Sequence, residues 1–394
     1  MRRQVRGRTV AVVLAVVAAA TLAISSSARA RTRAHRGETA KKSDAAAVKY
    51  RAVLLMDAAS GAVLSEENGH LQWPPASMTK MMLMLIASER VRDGAAKWEE
   101  PITTSRWASK MGGSQVYLKE GEVFTLAEMM QAVIIHSAND ASMAVAEHIA
   151  GSGEAFVDLM NERARQLALA DTTYQTPHGL PPAQGQKPDI TSAHDLAVLA
   201  RELMKYPEVM KWAGTKEAPF RNGAMILRNT NHLVRNTSWV DGLKTGYYRE
   251  AGFCVTATAT RNDMKLIAVV LGSTHKRDSF AEAAKLLNKG FSNYKVIYAV
   301  KKGDVVANDV PVQRGKPKFV RLVAGDNVAL VAEKTAKRSF QLELALTGQL
   351  AAPLVAQSKV GEVIVKEDGK EVGRVPALTF EAVEKAGGLL ERFF

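Results

Sequence analysis

The sequence predicts an α+β protein in which one antiparallel sheet packs against helices, followed by a small all-β domain. Three observations predict it. Strand patterns stand at both ends of a first region, with a block of helical patterns between them. Beyond about Lys301 the chain changes to short alternating strands with turn signals. At 394 residues and 47% hydrophobic content, it can bury more than one core.

Taken in order, the chain opens with the basic "MRRQVRGR", the apolar "TVAVVLAVVAAATLAI" and the small-residue "ARA" at Ala28–Ala30. This is the pattern of a secretory signal over residues 1–30, with an uncleaved anchor as the alternative. Residues 31–48 lack helical or strand periodicity and read as a basic tether. "YRAVLLMDAASGAVLSEEN" alternates about a turn at Ser60-Gly61, which predicts a hairpin with strands near 51–57 and 62–66. Helical patterns dominate from about 77 to 205, among them "SMTKMMLMLIASERVRDG", "TLAEMMQAVII", "DASMAVAEHIAGS" and "SAHDLAVLARELMKY". Strand chemistry returns in "WVDGLKTGYY", "AGFCVTATATRND" and "MKLIAVVLGST", with Asn262-Asp263 turning between the last two. The amphipathic "SFAEAAKLLNKGFSNY" closes a first domain of residues 49–295. The second domain, 296–382, includes "GEVIVKEDGKEVGRV" with a strong hairpin turn at Asp368-Gly369, and holds no cluster of catalytic residue types. Residues 383–394, "VEKAGGLLERFF", read as a short tail of one or two helical turns.

Charge and composition exclude several function classes. Ten Lys/Arg and a single acid, Glu38, lie between Arg2 and Lys42, so nine of the thirteen net positive charges belong to that segment. What remains is mildly basic, and aromatic residues make up only 6%, so no nucleic-acid footprint is left. The lone Cys254 excludes a disulfide framework and reads as a small buried hydrophobe. Eight histidines form no H-E-x-x-H or H-x-H arrangement, so neither metal nor cofactor is expected. His136 and His148, on helical patterns, read as structural, and Met81, Met82 and Met84 as core filling.

Three stretches carry chemistry. In "SMTK", Ser77 and Lys80 open a helix at i, i+3 spacing, which puts both on one face. Ser77 reads equally as the helix N-cap. Its hydroxyl becomes a nucleophile only if a base takes its proton, and a lysine is that base when burial or a nearby cation lowers its pKa. "SAN" places Ser137 and Asn139 in a turn between helices, where a hydroxyl and an amide can relay a proton and orient a substrate amide. "KTG" puts Lys244, Thr245 and Gly246 on a strand. Its lysine and threonine suit an anionic substrate end, and its glycine would let substrate backbone approach.

Each stretch alone is weak, with a cap, a loop and a turn as the plain alternatives. Together, in this order, they form a specific constellation, that of the penicillin-recognising serine enzymes. The chain from about Tyr50 to Asn293 resembles the serine-type D-Ala-D-Ala carboxypeptidases, the low-molecular-mass penicillin-binding proteins. The resemblance is carried by "LLMDAASGAVLSEENGHLQWPPASMTKMM", "HSANDAS", "TPHGL", "VDGLKTGYYREAGFCV" and "KLIAVVLGST", and continues in "GEVIVKEDGKEVGRVPAL". It implies a β-lactamase/transpeptidase-like first domain. It further implies that Ser77 attacks the penultimate D-Ala carbonyl of a peptidoglycan stem pentapeptide while Lys80 takes its proton. Ser137 would pass a proton to the departing amine, Asn139 would hold the substrate amide, and Lys244 and Thr245 would bind the carboxylate. The backbone N–H groups of Ser77 and Tyr247 would make the oxyanion hole. Arg277 in "THKRDSF" is the candidate for a family arginine that helps hold that carboxylate. His178 in "TPHGL" would shape its loop.

β-Lactam antibiotics would be covalent inhibitors. The protein would be exported, to a periplasm or the outer face of the cytoplasmic membrane, and "VEKAGGLLERFF" offers too little apolar face for more than peripheral membrane contact. A class A β-lactamase shares the motifs but needs a glutamate-bearing loop, and no Glu stands between Thr176 and Ile190. A D,D-endopeptidase cutting cross-links and a catalytically silent wall-binding penicillin binder remain as alternatives.

Overall fold

The computed structural model describes residues 49–387. The expected signal, the tether and the tail beyond residue 387 lie outside them.

Strand β1 (Ala52–Asp57) turns back into β2 (Val63–Glu67) around Gly61, whose φ is 77°. The Asp57 carboxylate tightens that turn by accepting from Ser60 N at 2.8 Å and Ser60 Oγ at 2.6 Å. A 3-10 turn, Ala76–Thr79, leads into α1 (Lys80–Arg92). A small hairpin, β3 (Pro101–Thr103) with β4 (Val123–Thr125), precedes α2 (Leu126–Gln131), whose Thr125–Glu128 capping box fixes its start. A π turn, Ala132–His136, then leads to α3 (Asn139–Ala150) and α4 (Gly153–Gln166). After α5 (Ala193–Leu203) and α6 (Pro207–Ala213) come the hairpin β5 (Glu217–Phe220) and β6 (Met225–Arg228) and the short α7 (His232–Asn236). Three long strands follow: β7 (Val240–Tyr248), β8 (Gly252–Arg261) and β9 (Met264–Ser273). Asn262 and Asp263, both at positive φ, make the turn between the last two. Helix α8 (Lys276–Asn293) ends the region.

These strands form one antiparallel sheet, ordered β2-β1-β9-β8-β7. Residue alternation assigns its two faces to two cores. Ala52, Leu54, Met56, Ile267, Val269 and Leu271 face a core shared with α1, α3 and α5. Val53, Leu55, Leu266, Ala268 and Val270 face α8. Covered on both faces, β1 is buried at every residue, so its interior reads as a continuous apolar run where the sequence reading had an alternating strand.

The C-terminal part is all β. Strand β10 (Tyr294–Val300) follows α8 directly and pairs with β14 (Val328–Glu333). The largest sheet joins β11 (Val305–Gln313), β13 (Phe319–Ala324), β15 (Gln341–Leu346), β16 (Leu350–Ala351), β17 (Lys359–Glu367) and β18 (Lys370–Thr379), with β17 and β18 turning at Asp368-Gly369. The start of the tail differs from its helical expectation. The strand β19 (Glu384–Lys385) pairs with β12 (Gly315–Lys316), and Val383 bridges Leu354. Val383 is fully buried, so packing sets the conformation there. Among the described residues no helix is long and apolar enough to cross a membrane.

Candidate active site

The nucleophile candidate sits on a turn. Ser77 belongs to the 3-10 turn, and the N-cap position of α1 is held by Thr79, which makes no side-chain cap bond. The expectation of Ser77 as a helix cap is therefore corrected, and its hydroxyl is free for other partners. Ala76 just before it has φ 49°, and Ser137 has φ 66°, at the end of the π turn. Left-handed backbone at non-glycine residues is costly and clusters at functional positions. Here it occurs on both sides of one groove.

Lys80 is the first residue of α1 and is fully buried. Its Nζ lies 2.9 Å from Ser77 Oγ, 2.7 Å from Asn139 Oδ1 and 2.5 Å from the His178 carbonyl. Burial, and then the positive charge of Lys244, push its pKa well below the ordinary lysine value, against the opposing pull of Asp189 and Asp140. The three partners decide where a neutral amine puts its electrons. Two are carbonyl oxygens, which only accept, so both N–H groups go to them. The remaining lone pair then faces the one partner that can donate, the Ser77 hydroxyl.

Ser137 meets Lys244 across the groove, with Lys244 Nζ donating to its Oγ at 2.8 Å and to the Thr245 carbonyl at 3.0 Å. Lys244 is buried on β7, and burial brings its pKa down to about 7. Thr245 Oγ1 donates to Thr230 Oγ1 at 2.8 Å. Asn139 uses both ends of its amide, Oδ1 on Lys80 and Nδ2 donating to the Gly112 carbonyl at 2.7 Å. One N–H of Nδ2 and one lone pair of Oδ1 remain for substrate.

Gly246 has a different reason from the one expected. A Cβ there would stand 2.3 Å from the Pro75 carbonyl and 3.0 Å from Ser77 N. The glycine lets β7 close on the nucleophile turn itself. Tyr247 is exposed, with its ring stacked on Phe253 at 4.1 Å between centroids. The groove, about 250 Å³, is lined by Ser77, Ser137, Thr245, Gly246 and Tyr247 among others. Arg277 is not among them. It is exposed in the first turn of α8, while Lys276, Ser279 and Phe280 present the helix face that lines the groove. Lys276 supplies a cation on this wall, directly before Arg277 in the first turn of α8.

Sequence reasoning missed Ser114, Thr230, Lys276 and Ser279, which line the groove without belonging to a motif. It also missed two buried carboxylates that hold the surrounding loops. Asp140 accepts from Val116 N at 3.0 Å and Leu118 N at 3.0 Å. Asp189 accepts from Gln175 N at 2.6 Å, Thr176 N at 2.9 Å and Thr176 Oγ1 at 2.8 Å. Asp140 directly follows "SAN", the one hint the sequence held. His178 is buried, its imidazole pushed to a pKa of about 3 by burial and then by Lys80, and its Nδ1 accepts from Leu180 N.

Known proteins match the chain along most of its length. The family model "D-alanyl-D-alanine carboxypeptidase" matches residues 38–275, and "Penicillin-binding protein 5, C-terminal domain" matches residues 294–385. The D-alanyl-D-alanine carboxypeptidase DacF of Bacillus subtilis is 35% identical over 351 residues, covering 88% of this chain and 89% of that one. Among solved structures, penicillin-binding protein 5 of Haemophilus influenzae aligns with TM-score 0.66 and 29% identity over 86% of this chain and 98% of its own. Penicillin-binding protein D2 of Listeria monocytogenes, solved in an ampicillin-bound form, aligns with TM-score 0.56 and 27% identity over 62% of this chain and 97% of its own.

Proposed function

Because the chain belongs to the D-alanyl-D-alanine carboxypeptidase family, a family of serine peptidases, we propose that Ser77 and Lys80 are its nucleophile and base. The single observation that carries this reading is the contact set of Lys80, a buried amine whose lone pair has only the Ser77 hydroxyl to face.

Ser77 Oγ attacks the penultimate D-Ala carbonyl carbon and its proton passes to Lys80 Nζ. The Ser77 and Tyr247 backbone N–H groups receive the developing oxyanion, a contribution of about 2.7–4 kcal/mol per donor. The C–N bond then breaks, and the leaving D-Ala amine takes a proton by way of Ser137. Lys244, Thr245 and Lys276 hold the terminal carboxylate, with Thr230 bracing Thr245, while Asn139 meets the substrate amide with its remaining N–H. Water hydrolyses the acyl-enzyme. Asp189, the carboxylate of the 176–190 loop, accepts three loop donors, so the loop lacks a free carboxylate to activate a deacylating water. β-Lactams enter as substrate mimics and leave Ser77 acylated. The same reading assigns catalysis to residues 49–295, leaves 296–382 as a β-domain outside the chemistry, and places the protein outside the cytoplasm by way of residues 1–30.

The test is a peptide ending in D-Ala-D-Ala, with free D-Ala assayed and a penicilloyl adduct sought by intact mass. Both signals are expected from the protein, and Ser77→Ala should lower release by at least about 10³-fold and abolish the adduct. An adduct without D-Ala release would favour the endopeptidase or silent-binder reading. A Ser77→Ala protein that still forms the adduct would overturn the assignment of the nucleophile.

A further inference from the structure

The peptide bond between His178 and Gly179 is engaged on both of its edges. Its carbonyl oxygen accepts from Lys80 Nζ at 2.5 Å, and its N–H donates to Thr176 Oγ1 at 2.8 Å. The Thr176 hydroxyl in turn donates to Asp189 Oδ2 at 2.8 Å. We propose that Thr176 and Asp189 are positioning residues for the acylation of Ser77. They hold this peptide so that its carbonyl fixes Lys80 and shares the charge that Lys80 gains with the Ser77 proton. The proposal rests on the assignment of Ser77 and Lys80 above and adds the residues that keep the base in place.

The loop is shaped to offer that carbonyl. Asp189 is buried, and its Oδ1 accepts from Gln175 N at 2.6 Å and Thr176 N at 2.9 Å, which leaves Oδ2 for the Thr176 hydroxyl. The residues after the carboxylate anchor it. Ile190 exchanges both backbone hydrogen bonds with Thr173, and Thr191 exchanges both with Trp73, on the segment that leads to Ser77. On the other side Gly179, at φ 75°, closes on the nucleophile turn, where a Cβ would stand 2.0 Å from the Ala76 carbonyl. The 178–179 peptide is thus held between two fixed points. The His178 imidazole takes no part, since its Nδ1 accepts from Leu180 N at 3.1 Å.

Direction gives the chain of bonds its chemical sense. Every donor in it points the same way, from Lys80 through the peptide and Thr176 to the carboxylate, so each bond polarises the next. When Ser77 Oγ gives its proton to Lys80 Nζ, a buried amine becomes a buried ammonium, and its charge falls on the oxygens it touches. Of the two carbonyl oxygens, that of Asn139 belongs to an amide whose Nδ2 ends on the Gly112 carbonyl, whereas that of His178 is backed by an anion. No proton crosses the relay. The peptide, Thr176 and Asp189 end the step with the protons they began with. The charges facing Lys80 divide by element: Lys244 on β7 opposes a second cation, while Asp189 on the loop and Asp140 on α3 favour it. Because the relay bonds more strongly to the ammonium than to the amine, it favours proton transfer itself and not binding alone.

The test is the rate at which penicillin acylates Ser77, followed by intact mass as a function of pH. On the acid side that rate rises as Lys80 loses its proton. Thr176→Val keeps the side-chain shape and lacks the hydroxyl, and Asp189→Asn turns an N–H towards Thr176 Oγ1 and so reverses the relay. Both should lower the plateau rate at least about tenfold and move the acid limb to lower pH, by about one unit for Asp189→Asn, because an unsupported ammonium is a stronger acid. Thr176→Ser keeps the hydroxyl and should keep both rate and limb. Lys244, with its pKa of about 7, titrates in the same range, but it touches Ser137 and Thr245 and not the loop, so its contribution is common to all the proteins. An unchanged rate in Thr176→Val overturns the proposal, as does a Thr176→Ser protein as slow as Thr176→Val. A slower rate with the limb unmoved, or moved to higher pH, also overturns it, since a loop that was merely loosened behaves so. Should Asp189→Asn not fold, Thr176→Val carries the same comparison. Failure of the unsubstituted protein to form any adduct would instead sink the assignment of Ser77 and Lys80, and the relay with it.

Discussion

Two buried lysines share one small site, and each is explained by what it touches. Lys80 was legible in the sequence because an ammonium within "SMTKMMLMLI" has to have a partner or a task. Ser77 was legible as its partner from the i, i+3 spacing, whereas the two carbonyl acceptors were not, since Asn139 lies 59 and His178 lies 98 positions away along the chain. Lys244 carries a testable consequence for stability. Its folded pKa, about 7, is below the ordinary 10.5 because burial disfavours its charge. Between those values the unfolded chain binds a proton that the folded protein does not, so this group makes stability rise with pH from about 7 to 10.5 and contributes no slope below about 7. Lys244→Met should remove that contribution, so that denaturant midpoints of wild type and variant converge or cross as the pH is raised through this window. Parallel curves would mean that Lys244 titrates normally.

At the level of elements, the site is an agreement between a 3-10 turn, a π turn and the middle of one strand. Apolar content located α1, α3 and β7, whose residues are mostly buried. It could not locate the irregular turns that carry Ser77 and Ser137, which tertiary contacts impose on otherwise helical sequence. Nor could it explain Gly246, which reads as a strand glycine until the Pro75 carbonyl is found against it. Gly246→Ala should push β7 away from the nucleophile turn, and we expect the rate of penicillin acylation to fall at least about 10²-fold with folding retained. A near-normal acylation rate in the folded variant would show that the turn yields to a methyl group at no cost to the chemistry. A helix turns about 100° per residue, so reading a groove-facing position from sequence requires knowing the face, and α8 brings Lys276 to the groove.

Across the molecule, the central sheet separates two cores, one beneath α1 and α3 and one beneath α8, whose first turn reaches the groove. The core under α8 is completed near the C-terminal strands by Phe291, which meets Trp239 edge-on at 6.0 Å, while the Arg261 guanidinium lies 4.9 Å from both rings. Phe291→Ala should cost about 3–5 kcal/mol of stability by leaving a cavity there. Acylation of Ser77 by penicillin, measured well below the lowered melting temperature, should keep its rate, since the substitution is on the far face of the sheet from α1. A variant with unchanged stability would show that this aromatic cluster is not a stabilising part of the core, and one with slowed acylation would show that the two faces of the sheet are coupled.

The sequence by itself determined the chemistry-bearing types, their order and the elements that carry them. Those follow from local spacing, hydrophobic period and turn residues, so a single chain can display them. The tertiary structure alone decided which acceptors surround Lys80, why Gly246 has no side chain, that Lys276 lines the groove, and that the tail begins as a strand. Each of these depends on atoms far apart in the chain meeting within a few ångströms, and burial then sets the charge state of the groups that meet.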